Sequence, residues 1–185
     1  MKQFLFGFSF LLLSVSAITL QAQTAVSNDF RFFSQANLNY VFGINESTLN
    51  QKTNALLIKL VVGLANSRTG FGIGLENGSY RPSGGSGSSF ETLNFSGNVH
   101  FLAKPITTDE VNYFVKGAAG YAPRLFRTYN KGFNYEIATG VLLTSKKKSK
   151  YFLQAIYHYQ EFDSFLITGR KPKIKGVGLG VGTWF

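Results

Sequence analysis

A chain of 185 residues has the length of a single domain. The absence of cysteine excludes a disulfide framework, a thiolate metal site and a lipid-anchored N-terminus, and no cofactor is implied. The net charge of +10 would suggest nucleic acid only if a basic face carried interleaved stacking aromatics; no such face exists, so nucleic acid is not an expected partner.

The first element is a leader. Lys2 supplies a positive start, Phe4 to Leu13 is almost wholly apolar, and Ser14, Ser16, Ala17, Thr19 and Gln21 lead into Ala22. This is the layout of a cleaved signal peptide, which assigns residues 1–23 to the leader, with cleavage between Ala22 and Ala25, and 24–185 to the mature domain. The rival reading is an uncleaved membrane anchor. That needs about 20 apolar residues, and this run is shorter and broken by serines.

Beyond the leader the hydrophobic period is two. Eight strands are predicted: Phe30 to Phe42, Ala55 to Ala65, Gly70 to Tyr80, Phe90 to Leu102, Val111 to Ala122, Phe133 to Thr144, Tyr151 to Phe162 and Ile174 to Phe185. Each is near the roughly 9 to 11 residues with which a tilted strand crosses a bilayer. The connections GINESTLNQKTN, RPSGGSGSS, PRLFRTYNKG and DSFLITGRKPK follow odd-numbered strands, and NSRT, AKPITTDE and SKKKSK follow even-numbered ones. Longer loops on one side and shorter turns on the other suit an outer-membrane barrel with both termini periplasmic, although the second turn is nearly as long as the loops.

Along each strand an apolar set, such as Leu56, Ile58, Leu60, Val62 and Leu64, alternates with a polar or small one. A soluble ligand-carrying barrel would alternate too, with its apolar side inward. The composition of the polar side decides between them: Asn37, Asn39, Asn94, Ser96, Gln154 and many glycines fit a narrow interior rather than a water-exposed face, which would be rich in Lys, Glu and Thr. Two aromatic girdles are expected. One comprises Phe30, Phe32, Phe71, Phe101, Tyr113, Phe114, Tyr151, Phe152, Trp184 and Phe185 at the periplasmic ends; the other comprises Tyr40, Phe42, Tyr80, Phe90, Tyr121, Phe133, Tyr135, Tyr157 and Tyr159. The predicted fold class is an all-β, antiparallel, up-and-down transmembrane barrel of eight strands. Any unpaired backbone polar group in lipid is costly, and a closed barrel leaves none.

The final strand, KIKGVGLGVGTWF, closes alternate apolar residues Val177, Leu179 and Val181 on a terminal aromatic, Phe185. It resembles the C-terminal signature of outer-membrane barrels, and with the QAQ ending the leader the chain resembles the small outer-membrane barrels of Bacteroidota, in the class of the OmpA transmembrane domain and OmpX. The resemblance implies that Phe185 is the signal read by the barrel-assembly machinery, and that outer-membrane lipids surround the protein. The glycines of GVGLGVG, Gly176 to Gly182, do not form a phosphate-binding fingerprint, because they recur every second residue and no helix follows.

Folding strands two and three about NSRT brings Lys59 opposite Glu76, an ion pair filling the barrel core rather than an ion path. Lys116 and Glu136, with His158 and Gln160, are expected to form a second interior network. Lys146, Lys147, Lys148 and Lys150 crowd one turn, and Arg170, Lys171 and Lys173 the last loop; the first three of the turn and all three of the loop are candidate contacts for anionic lipid or lipopolysaccharide phosphates. An enzymatic alternative is set by lipid A deacylases, small barrels that carry a His-x-Ser-Asn motif. Here the stretch is His158, Tyr159, Gln160, Glu161, so Gln160 stands where the nucleophile belongs; Ser164 lies in a loop with no spacing that places it against His158. His100 offers no second ligand at metal spacing. The expected function is therefore structural or interactive, with loops contacting lipopolysaccharide or a protein partner. A lipid-modifying enzyme and a narrow, porin-like ion or solute conduit are the alternatives; no catalytic, cofactor or metal residue is assigned.

Overall fold

In a computed structural model the chain is described over residues 30–46, 51–84, 89–106, 111–125, 130–145, 149–163 and 171–185. The leader, Lys146, Lys147, Lys148, Ser164 and Arg170 lie outside these residues. The strands are β1 Arg31–Gly43, β2 Thr53–Ala65, β3 Thr69–Pro82, β4 Phe90–Leu102, β5 Val111–Ala122, β6 Gly132–Thr144, β7 Lys150–Glu161 and β8 Lys173–Trp184. Each pairs antiparallel with its neighbour in sequence, and β1 pairs with β8, so the sheet closes. The fold is an all-β, closed, eight-stranded antiparallel barrel.

The strands run 12 to 14 residues, longer than the hydrocarbon core requires. The excess lies partly at the loop end, where β2 and β3 continue to the pair Thr53↔Pro82, two residues beyond the apolar alternation. At the opposite end, where β1 begins and β8 ends, the seam is fastened by Ser34 and Phe185: the Phe185 amide donates to the Ser34 carbonyl at 2.8 Å, and the Ser34 amide donates back at 3.2 Å.

Period-two alternation becomes an inside and an outside. Lys59 is 2% exposed and Glu76 is wholly buried, while Ile73 and Leu179 are 72% and 69% exposed. Outward-facing charges among the described strand residues are confined to loop ends, at Arg81, Glu91, Glu161, Lys173 and Lys175. Two hydroxyls on the outer face return to their own sheet: Thr139 Oγ1 donates to the Phe114 carbonyl and Thr183 Oγ1 to the Lys150 carbonyl, both at 3.1 Å. Neither hydroxyl needs water.

The interior has three storeys. Phe33, Val61, Leu102, Phe114, Leu142, Phe152 and Trp184 pack an aromatic plug at the terminal end. Val41, Leu57, Tyr80, Ile156, Phe162 and Ile174 close the loop end. Polar side chains fill the layer between them. This corrects the expected girdles, because Phe114, Phe152 and Trp184 at one end and Tyr80 and Phe90 at the other point inward. Aromatic residues adjacent in sequence, as in Tyr113-Phe114 and Trp184-Phe185, must face opposite sides of a strand, so only one of each pair can meet the surroundings. The glycines of β8 face inward and make room for these side chains: a Cβ on Gly182 would collide with the Phe152 ring, and one on Gly180 with Asn39.

Candidate functional site

The polar middle layer is built by register. Lys59 pairs directly with Glu76 across β2 and β3, which follows from the short NSRT turn. Asn66 holds that turn by accepting hydrogen bonds from the amides of Arg68 at 2.9 Å and Thr69 at 2.7 Å. The Lys59 ammonium nevertheless lies closer to Glu136, across the lumen on β6: 3.1 Å against 3.9 Å to Glu76. One cation thus serves two carboxylates, and the two networks expected from sequence share a single centre. Asn94 donates to Glu76 at 2.9 Å, and Gln154 donates to Asn39 at 2.6 Å.

Lys116 faces Glu136 across the middle layer, where both line one small cavity. Its ammonium makes no ion pair among the described residues; it lies 4.1 Å from the centre of the Phe152 ring and 5.2 Å from that of Phe114. The negative faces of the two rings partly compensate its burial, a cation–π contact worth about 0.5–2 kcal/mol. His158 sits directly across from Glu136 in the register of β6 and β7, and it and Gln160 gain a further partner. The Tyr80 hydroxyl lies 2.8 Å from His158 Nε2 and donates to Gln160 Oε1 at 3.3 Å. Tyr80, on β3, was assigned to the outer girdle by its position in sequence; burial brings its hydroxyl to the interior histidine instead.

His100 is packed edge-on against Trp184, with ring centres 4.4 Å apart, and against Phe33 at 5.1 Å. Among the described residues no group of three His, Asp or Glu side chains could hold a metal ion. Beside Lys59, Lys116 and Glu136 there is a cavity of about 10 Å³, room for about one water molecule. Eight strands enclose just enough space for side chains, and here the side chains use it.

The second group of candidate residues lies at the loop end. Lys171 is committed to its acidic neighbours, at 2.8 Å from Asp163 and 3.3 Å from Glu161, and Lys131 joins Asp163 at 3.6 Å. The Lys171 hydrogen bond, with Lys131 beside it, holds the Asp163 carboxyl below the usual carboxylate range. Lys173 is exposed and points outward, as does Lys175 one step along the same face. Lys175 was not singled out from sequence because it sits within a strand rather than in a charge cluster. Its outward parity is the signal that marks it.

The structure is similar to that of Neisserial surface protein A, with a TM-score of 0.58 at 12% identity over 85% of this chain and 100% of that one. The outer-membrane enzyme PagL aligns with a TM-score of 0.46 at 14% identity, over 80% of this chain and 97% of its own. A de novo designed transmembrane β-barrel aligns at 0.37 and 12% identity, over 83% and 94%. The first likeness shows the fold alone, a closed antiparallel barrel; the other two carry no argument about this chain. No family model and no curated protein matches the sequence.

Proposed function

We propose that the protein is an integral outer-membrane barrel with a structural or interaction role, its termini in the periplasm and its longer loops outside. The observation that carries this reading is the outer wall, where exposed apolar side chains such as Leu38, Ile58, Leu60, Ile73, Val115 and Leu179 ring the barrel while Lys59, Glu76 and Glu136 are inside. In water such a wall would drive aggregation; in lipid it is the solvated face. Outer-membrane lipids are then the immediate partners. Phe185 is the residue we assign to recognition by the barrel-assembly machinery, a reading supported by its 71% exposure at the end of the last strand.

A conduit is disfavoured by the two apolar plugs and the filled middle layer. Catalysis is disfavoured by the surroundings of His158, which is wholly buried and engaged by Tyr80, with Gln160 rather than a serine two residues on. An acyl hydrolase needs its nucleophile within about 3 Å of the base.

Cysteine labelling tests the placement. With Ser83→Cys, at the loop end, an impermeant thiol reagent should label intact cells; with Ser149→Cys, at the terminal end, it should not. The reverse pattern would invert the orientation, and a chain left soluble after cell lysis would discard the membrane reading. Expression in a lipopolysaccharide-producing host should leave lipid A acylation unchanged by mass spectrometry. Loss of an acyl chain that His158→Ala restores in a folded barrel would establish an enzyme instead.

A further inference from the structure

The outer wall is not uniform around the barrel. On β3 and β4 the loop end presents Asn77, Ser79, Arg81 and Glu91, a polar mixture with little net charge. On β6, β7 and β8 it presents three tiers. At the rim stand Lys173 and Lys175, whose ammonium groups form no ion pair among the described residues; the register sets Lys173 beside Glu161, whose carboxylate is already engaged by Lys171 at 3.3 Å and by the Tyr159 hydroxyl at 3.2 Å. Level with Lys175, Tyr135 and Tyr159 stack with ring centres 4.8 Å apart and planes 17° from parallel, and Tyr157 lies one step further from the rim at 6.1 Å from Tyr135. The register sets Lys175 directly beside Tyr159.

The third tier is an apolar groove of about 600 Å³ in the wall beneath the tyrosines. It exists because the strand register lines up two short outward side chains, Thr139 and Ala155, between taller neighbours such as Leu153, Leu179 and Tyr40. The Thr139 hydroxyl is satisfied by the Phe114 carbonyl, so the floor presents no unmet polar group.

We propose that this wall binds a phosphorylated, multiply acylated sugar lipid of the outer leaflet, with its phosphate at Lys173 and Lys175, its sugar against the tyrosine platform and an acyl chain in the groove. The assignment rests on the outer-membrane reading above and supplies its partner. Each tier matches one part of such a molecule: ammonium groups attract phosphate at a membrane surface, aromatic side chains with polar tips suit the interfacial zone, and the groove lies at the depth of the chains. A two-chain glycerophospholipid would satisfy the groove and the cations but leave the platform unused.

The test uses the full mature barrel, refolded into phosphatidylcholine nanodiscs doped with bisphosphorylated lipid A, dephosphorylated lipid A or phosphatidylglycerol. Lipid retained per barrel after detergent extraction is counted by mass spectrometry, and the heat-modifiable band verifies folding in every sample. The wild type should retain bisphosphorylated lipid A over both others. Lys173→Gln with Lys175→Gln should lower that retention about tenfold, since each ammonium near an anionic surface contributes a severalfold factor. Ala155→Trp, which fills the groove without touching the cations, should lower it as well. Arg68→Gln with Lys104→Gln, an equal loss of charge at the opposite end, should not. Equal retention of phosphatidylglycerol, or no loss on removing both lysines, would overturn the site while leaving the membrane reading intact. Failure of the wild-type chain to give a folded band in any bilayer would overturn the membrane reading and the site with it.

Discussion

Replacing Lys59 with Met removes the one cation on which two buried carboxylates depend while keeping an unbranched side chain of similar length. Glu136 at 3.1 Å and Glu76 at 3.9 Å would lose their counter-charge inside the barrel. Lys116 lines the same small cavity as Glu136 but forms no ion pair with it, its ammonium lying 4.1 Å from the centre of the Phe152 ring, so it offsets the loss only in part. Removing one partner from a buried ion pair costs about 3–5 kcal/mol, and Lys59→Met should fall in that range. Glu76→Gln, which leaves one cation facing one anion, should stay within about 1 kcal/mol of the wild type. Converting all three together, Lys59→Met with Glu76→Gln and Glu136→Gln, removes every charge of the triad and should recover most of the loss, because the charges were desolvated at comparable cost. The assay is equilibrium urea unfolding in phosphatidylcholine vesicles, followed by gel mobility and by the fluorescence of Trp184, the one tryptophan in the chain. A Lys59→Met variant within about 1 kcal/mol of wild type, or a triple variant as damaged as the single, would refute the reasoning.

Leu60→Arg places a charge on the outer wall and should cost roughly 2–4 kcal/mol near the bilayer midplane, with loss of the heat-modifiable band. Asn98→Ala should be milder, since among the described residues the Asn98 amide bonds within its own strand, to Ser96. Phe185→Ala should lower the yield of folded barrel in cells yet barely alter refolding into vesicles, because the ring is exposed and packs little; an equal defect in both settings would deny it a role in recognition. The Asp163 clamp has a defined pH window. Its carboxyl titrates lower in the folded barrel than in the unfolded chain, so its contribution is complete above the ordinary value of 3.8 and disappears as pH falls through the lower folded value. Stability should therefore be indifferent to Asp163→Asn below that window and reduced by less than about 1 kcal/mol at neutral pH, in parallel urea titrations.

Much of the architecture was legible in the sequence because a β-strand has a period of two and a barrel wall has two faces. Leu56, Ile58, Leu60, Val62 and Leu64 could only share one side, and Lys59 the other. The short NSRT turn fixed the register of β2 against β3, so the Lys59–Glu76 pairing was readable as a local consequence of chain connectivity. The boundaries were read within a residue or two, and the longer strands reflect backbone pairing that continues after the apolar signal stops. Where two aromatic residues were adjacent, the sequence suggested a shared girdle although the pleat forces one of them inside.

What the sequence could not decide is which side chains meet across the lumen. Lys59 and Glu136 are 77 residues apart and lie on strands that do not pair, so no turn length or alternation relates them; closure of β1 on β8 sets the curvature that brings them together. The same closure carries Tyr80 to His158 and turns Lys116 toward the aromatic plug. The strands, the order in which they pair and the face each residue takes follow from local period and short connections, and so were readable from the chain. The interior partners and the surface beside Lys175 emerge with the closed barrel, because both depend on distances between strands that closure creates.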